Sequence, residues 1–210
     1  MVTVTGIPAH AAYPERGKNP ITLAAAGLAA LERIKLPADP DLGLAILVAT
    51  DVVSKPWPSI SLIPSGVQIR FDRRTLVGET HSDVLDGIAG ALAAVDAGAF
   101  DVSITADPVS SYTGVALDAP RWLPAWRTDP AHWLVQMAGD AAREVTGLSR
   151  LGVYDFCTNG SESAGVRGMP TIGLGPGLAA DAHTPDESVS VACGRVEEAG
   201  PAASRREEAR

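Results

Sequence analysis

The sequence predicts an α/β protein, because strand-like and helix-like patterns follow one another through its first half. Their order is strand, helix, strand, strand, helix, strand, which is compatible with a four-stranded antiparallel sheet carrying two helices on one face. After Pro108 the sequence becomes rich in Pro and Trp, which indicates a boundary. We therefore predict a first domain over residues 1–108, a second unit over 109–193, and a disordered, charge-rich tail over 194–210.

The first two elements have clear local signals. Met1–Thr5 alternates Val with Thr, as a half-buried strand does, and Gly6 and Pro8 end it. Asn19 is a good N-cap and Pro20 suits the first turn of a helix, so a helix is predicted over the following segment ITLAAAGLAALERIKL. Its apolar face is formed by Leu23, Leu28, Leu31 and Ile34.

The remaining elements of the first domain follow from periodicity. Residues 44–53 form an apolar run that predicts a buried strand. In the segment VQIRFDR, alternation places Val67, Ile69 and Phe71 on one face and leaves Arg70 and Asp72 on the outside. A second helix is predicted from Thr80 to Ala97, and a fourth strand over residues 100–106.

The second half predicts pieces of an α/β layer. Asp129 and Pro130 are predicted to cap a helix over residues 131–146. Two short strands are predicted next, LGVYDF over residues 151–156 and TIGLG over 171–175, each followed by a loop with Gly or Asn.

Composition excludes several classes of partner. The net charge of −8 argues against nucleic acids and anionic membranes, which require clustered Lys and Arg. The chain has no apolar run long enough for a bilayer and no signal-peptide pattern. Its two cysteines form no disulfide framework or zinc-site spacing, so a reducing compartment, the cytoplasm, is expected.

Three separated segments carry a family resemblance. They are GIPAHAAYPERGKNPI from Gly6, SLIPSGVQIRFDRRTLVGET from Ser61, and DFCTNGSESAGVRGMPTIGLGPG from Asp155 with the following AHTPDE. In order and spacing they resemble the family of acetylornithine deacetylase, succinyl-diaminopimelate desuccinylase, aminoacylase and glutamate carboxypeptidase. The motif DFCTNGS is most similar to the subgroup of selenium-metabolism-linked hydrolases.

The resemblance implies a lid, or dimerisation, domain followed by the C-terminal part of a catalytic domain that uses two zinc ions, with cobalt or manganese as alternatives. It implies that His183 is a metal ligand, with Asp186 or Glu187 holding its second ring nitrogen. A loop histidine bonded to a backbone carbonyl, beside solvated loop charges, is the alternative, but the surrounding Gly-Pro-Gly and Thr-Pro-Asp-Glu favour the ligand.

The resemblance also assigns substrate contacts. His10 matches a lid histidine that donates to the developing oxyanion in the partner subunit's site, although a turn histidine after Pro8 is the alternative. Arg74 matches an arginine that binds a substrate carboxylate, with Arg73 and a plain surface role as alternatives.

Three further positions are substrate-binding candidates by the same resemblance: Asn159, Gly175 and Gly177. The two glycines would let backbone N–H groups approach a carboxylate, or serve only a tight turn. Ser61 stands where the family pattern has asparagine, which leaves one polar substrate contact in question.

The family's other metal ligands precede the point where this chain begins. The sequence His81-Ser82-Asp83 imitates a ligand pair, but Thr80 and Asp83 predict a helix cap there. The pairs Glu197-Glu198 and Glu207-Glu208 lie in the polar tail and are interpreted as solvated charges. We therefore expect that the second unit folds poorly alone and that the chain alone is inactive.

Two functions are consistent with these observations. The first is the C-terminal portion of a dinuclear zinc amidohydrolase or peptidase acting on N-acyl amino acids or small peptides. Its partner would be a second copy bound through the lid domain, or a separate N-terminal half. The second function is a non-catalytic dimerisation module.

Overall fold

The computed structural model describes residues 1–106, 108–117, 121–147, 149–154, 156–174 and 181–189. The chain divides into two compact units, Met1–Trp122 and Leu123–Arg210. The strands of the first unit are β1 Val2–Thr5, β2 Ala9–His10, β3 Ala38–Asp39, β4 Gly43–Leu44, β5 Ile46–Lys55, β6 Leu62–Ile63, β7 Gly66–Arg74, β8 Phe100–Val102, β9 Val109–Ser110 and β10 Ala116–Leu117. Its α-helices are α1 Pro20–Leu31 and α2 His81–Ala93, and a 3-10 turn covers Pro14–Arg16.

The first unit is built on a four-stranded antiparallel sheet in the order β5-β7-β1-β8. Both helices contact this sheet and each other. The core consists of alternating strand residues, Val2 and Val4 on β1 with Val67 and Ile69 on β7, packed against apolar residues of the helices. The predicted α/β fold with an antiparallel sheet is confirmed.

Alternation along β7 also follows the prediction. Val67 and Ile69 are 1% exposed, whereas Arg70 and Asp72 are exposed on the opposite face. Because side chains alternate along a strand, one face of β7 lies on the core and the other is open to solvent.

Both helices of the first unit begin at the predicted caps. The Asn19 side-chain oxygen accepts a hydrogen bond of 2.9 Å from the Ile21 amide. At α2, the Thr80 hydroxyl and the Asp83 carboxylate form a reciprocal capping box, and the bond from the Thr80 hydroxyl lowers the pKa of Asp83. The sequence His81-Ser82-Asp83 is therefore a helix start, and the His81 ring packs edge-on against Trp122 at 4.2 Å.

The prediction of a buried strand over residues 44–53 was wrong about burial. The strand forms as β5, but it lies at the edge of the sheet, and Val48 and Val52 are 51% and 52% exposed. An apolar run predicts an extended segment without showing how many neighbours cover it. An exposed apolar edge is a surface suited to pairing with another strand.

The close packing of α1 against α2 and β8 depends on Gly27. A Cβ atom at Gly27 would lie 2.8 Å from Phe100 Cε1 and 3.0 Å from Leu92 Cδ2, whereas a Cβ at Gly87 on α2 would meet nothing within 4 Å. Gly27→Ala is expected to lower the free energy of unfolding by about 1–2 kcal/mol, because overpacking outweighs the better helix propensity.

Gly87→Ala is the matched control in an exposed helical position. It is expected to raise the free energy of unfolding by about 0.5–1 kcal/mol. Urea denaturation followed by circular dichroism measures both variants, and a Gly27→Ala protein at least as stable as the wild type would contradict this packing.

The second unit contains helix α3, Trp133–Thr146, and a π-helical turn, Ser161–Val166. The predicted cap at Asp129 and Pro130 was wrong by one turn. The Asp129 carboxylate instead accepts from the Ala131 amide at 2.7 Å in the preceding turn, and the His132 Nδ1 atom caps α3 by accepting from the Leu134 amide at 3.2 Å. The helix ends at Gly147, whose φ of 75° requires the left-handed region that glycine tolerates.

The two strands predicted in the second unit are not strands over the positions that the structure describes, 151–154, 156 and 171–174. A strand is defined by pairing, and local apolar pattern cannot supply a neighbour. Trp126, Tyr154 and Pro124 pack closely against glycines of this unit.

The predicted tail over residues 194–210 lies outside the described residues. No helix among the described residues is long and apolar enough to cross a membrane.

Candidate functional site

His10 lies at the end of a short, separate two-stranded ladder, β2 with β6, which follows β1 and precedes β7 along the chain. Strands β2 and β6 pair antiparallel, with His10 opposite Leu62 and Ala9 opposite Ile63. Opposite residues project to the same side, so Ile63 is directed into the core and His10 shares the exposed side with Leu62. The imidazole is therefore presented to solvent on a paired backbone.

Local bonds hold the His10 turn. The His10 Nδ1 atom accepts from the Ala12 amide at 3.0 Å, and the His10 carbonyl accepts from the Tyr13 amide at 2.8 Å. The Tyr13 ring centroid lies 5.9 Å from that of His10, and the Arg16 guanidinium carbon lies 4.8 Å from the Tyr13 ring centroid. Tyr13 and Arg16 were not identified from the sequence, although Tyr13-Pro14 three residues after His10 is a turn signal.

Ser61 supports the same turn from the opposite strand. Its carbonyl accepts from the Ala11 amide at 3.0 Å, and its φ is 55°. Asparagine is enriched in this left-handed region and serine is not, so the asparagine of the resembling family is the residue that this backbone favours.

Arg73 and Arg74 have different environments. The Arg73 guanidinium donates to the Glu79 carboxylate and to the Arg74 carbonyl, and its side chain is 12% exposed. Glu79 also accepts from the Leu76 amide at 2.6 Å, so it closes the turn that follows β7. The Arg74 side chain is 37% exposed and bonds the exposed Asp72 at 3.0 Å. Arg73 is therefore a structural residue, and Arg74 is the more accessible cation.

Within one copy of the chain, the structure does not bring His10 and Arg74 together. Arg74 is the last residue of β7. The ladder of β2 and β6, in which His10 is on β2, lies beyond the first residue of β7, Gly66. At about 3.4 Å per residue, the eight steps from the first to the last of the nine residues of β7 span about 27 Å. A small substrate bound to Arg74 cannot reach His10 of the same copy.

The candidates of the second unit lie in two segments. Asn159 is exposed. Its backbone carbonyl accepts hydrogen bonds from the backbone amides of Glu162 and Ser163 at the start of the π-helical turn. The next residue, Gly160, is buried against Trp126, where a Cβ atom would lie 2.3 Å from the ring. Gly175 and Gly177 lie outside the described residues.

His183 is exposed and has a φ of 63°. Its backbone amide donates to the Glu187 carboxylate at 2.8 Å, so this carboxylate stabilises the left-handed turn. Across the described ranges, no group of three or more His, Cys, Asp or Glu side chains is arranged to hold a metal ion. A single imidazole does not fit a zinc centre, which uses three or four protein ligands.

Comparison with known proteins supports the fold of the first unit. Residues 1–98 match the family model of the peptidase dimerisation domain. The chain is 31% identical over 189 residues to the uncharacterised protein YgeY of Escherichia coli strain K12, an alignment that covers 89% of this chain and 46% of YgeY. The chain thus spans about half the length of the curated relatives it matches.

Solved structures show the same fold at low identity. The aminopeptidase PepT of Bacillus cereus superposes with a TM-score of 0.57 at 20% identity, over 83% of this chain and 42% of PepT. A tripeptidase of Staphylococcus aureus gives 0.53 at 18%, over 80% and 40% of the two chains. The M20 family metallo-carboxypeptidase Sso-CP2 of Sulfolobus solfataricus gives 0.60 at 10%, over 93% and 55%. Residues 1–98 of the first unit are thus similar to a peptidase dimerisation domain.

Proposed function

We propose that this chain is the lid domain and C-terminal part of a dinuclear zinc amidohydrolase or peptidase that cleaves the amide bond of N-acyl amino acids or small peptides. The match of residues 1–98 to the peptidase dimerisation domain supports the family. The motif from Asp155 to Ser161 favours the selenium-metabolism-linked subgroup, and the small number of cysteines favours the cytoplasm.

The placement of His10 and Arg74 carries this proposal. Because about 27 Å of β7 separates them, they serve one small substrate only if they come from different copies. A homodimer would provide this arrangement, and two copies would join through the outer edge of β5, which has no strand neighbour in the described four-stranded sheet. The site would then be incomplete in a monomer.

Each candidate has a defined role in this proposal. The His10 ring donates a hydrogen bond to the carbonyl oxygen of the scissile amide as negative charge develops there, an interaction that contributes a few kcal/mol. Arg74 binds the substrate carboxylate with a planar pair of N–H donors, and its exposure favours it over Arg73. Asn159, Gly175 and Gly177 supply further substrate contacts.

The metal site is incomplete in this proposal. His183 would contribute one ligand to a zinc, cobalt or manganese ion, and the other ligands would come from a separate N-terminal half. When complete, such a centre polarises the amide carbonyl and activates water. The described residues hold no ligand group of their own, so the chain by itself is expected to be inactive.

A non-catalytic dimerisation module is the second candidate. It is favoured by the complete sheet and core of the first unit together with the lack of a metal-ligand group among the described residues. Under this function His10 and Arg74 contact no substrate, and the exposed β5 edge forms the contact between the two copies.

Metal content and hydrolysis separate the two functions. The purified chain is incubated with excess zinc and dialysed, bound metal is measured by elemental analysis, and release of amino acids from N-acetyl amino acids is assayed. The enzyme-fragment proposal expects no turnover and weak zinc binding that His183→Ala abolishes and the control His132→Ala retains. Zinc binding that His183→Ala leaves unchanged would contradict the role of His183 as a metal ligand. A stable dimer that binds no metal would favour the non-catalytic dimerisation module.

A further inference from the structure

The turn after His10 determines which ring nitrogen carries the proton. The Ala12 amide donates to Nδ1 at 3.0 Å, and an N–H donor requires an unprotonated acceptor. A neutral imidazole has one proton, so it must lie on Nε2. Because the two nitrogens lie on opposite sides of the ring, the Nε2–H group is directed away from the turn.

One further contact restricts the ring. The Tyr13 amide closes the turn on the His10 carbonyl at 2.8 Å, which places the Tyr13 side chain beside the imidazole with the two ring planes at 58°. The Arg16 guanidinium lies over the Tyr13 ring at 4.8 Å and holds it by a cation-π interaction. Leu62 is opposite His10 in the backbone register of the ladder.

We propose that Tyr13 is a positioning residue that, with the Ala12 amide, orients the His10 ring so that Nε2–H is the available donor. The inference rests on the proposed role of His10 as a donor to the scissile carbonyl. A donor already fixed in one tautomer and one orientation needs no reorganisation when charge develops on the oxygen, which is the property that makes such groups effective. Tyr13 would act through His10 without contacting the substrate.

Nuclear magnetic resonance of the free chain tests the tautomer directly. In a ¹⁵N-labelled sample at neutral to mildly alkaline pH, the His10 signals are assigned by their loss in His10→Gln. We expect an unprotonated Nδ1, a protonated Nε2, and a scalar coupling across the hydrogen bond between the Ala12 amide nitrogen and His10 Nδ1. His132, whose Nδ1 accepts from the Leu134 amide, is an internal control with the same expected tautomer.

The contribution of Tyr13 is tested with a matched pair of variants. Tyr13→Ala is expected to weaken the coupling and to speed hydrogen exchange of the Ala12 amide about fivefold, as loss of a hydrogen bond of ordinary strength does. Tyr13→Phe keeps the ring and should match the wild type. Unchanged exchange of the β1 amides in both variants shows that the domain is folded.

A protonated Nδ1, or a Tyr13→Ala protein with wild-type coupling and Ala12 exchange, would overturn the inference. These readouts need no substrate and no metal, so they are independent of the proposed function. That function would fail separately if an assembled enzyme kept its rate after His10→Gln while the tautomer was as stated.

Discussion

Lysine in place of Val52 is expected to convert the proposed homodimer into monomers. Val52 is 52% exposed on the edge strand β5, so the folded monomer tolerates a lysine there. A charged lysine on an edge strand disfavours pairing of that edge with a second strand, because it would stand beside the apolar side chains of the new neighbour. We expect dimerisation to weaken at least about 100-fold, which corresponds to about 3 kcal/mol.

Val109→Lys is the matched control, because Val109 is also 52% exposed but lies on β9 outside the four-stranded sheet. It should leave the dimer intact. Light scattering during size-exclusion chromatography over a range of concentrations gives the mass of each variant. Equal masses for Val52→Lys and wild type would contradict pairing through β5.

Removing the Arg73 charge is expected to have the largest effect on stability. Arg73→Gln leaves the Glu79 carboxylate without its cation at a position where both side chains are less than 15% exposed, and breaking such a pair from one side is strongly destabilising. We expect a loss of about 2–4 kcal/mol in the free energy of unfolding.

The neighbouring Arg74→Gln provides the contrast. Its ion pair with Asp72 is exposed, and such pairs contribute about 0–1 kcal/mol. Urea denaturation measures both variants. Equal losses of unfolding free energy in the two variants would contradict the assignment of Arg73 as a structural residue and Arg74 as an accessible one.

The fold of the first unit was predictable because its signals are local. Asn19 and Thr80 cap their helices through bonds to amides two or three residues away, and alternation in β7 directly reports which face is buried. The position of β5 at the sheet edge was not predictable, because an apolar run has the same composition whether one neighbour or two cover it. The same limit applies to residues 151–156 and 171–175.

The candidate site was predictable only in part. Motif spacing indicated His10 and Arg74, but their separation by the length of β7 depends on strand pairing between distant residues. The difference between Arg73 and Arg74 likewise depends on Glu79, which sequence alone does not place beside either guanidinium. The contacts of Tyr13 and Arg16 with the His10 turn are side-chain packing, for which a single sequence carries little signal.

The central proposal is that two copies of the first unit join through β5. Hydrogen exchange of the β5 backbone amides, measured at concentrations above and below the dimerisation constant, tests it most directly. We predict that amides between Ile46 and Lys55 that do not bond to β7 become protected only at the higher concentration, while those of β1 are protected at both. Exchange of all β5 amides that is independent of concentration, in a chain whose mass shows a dimer, would contradict the claim.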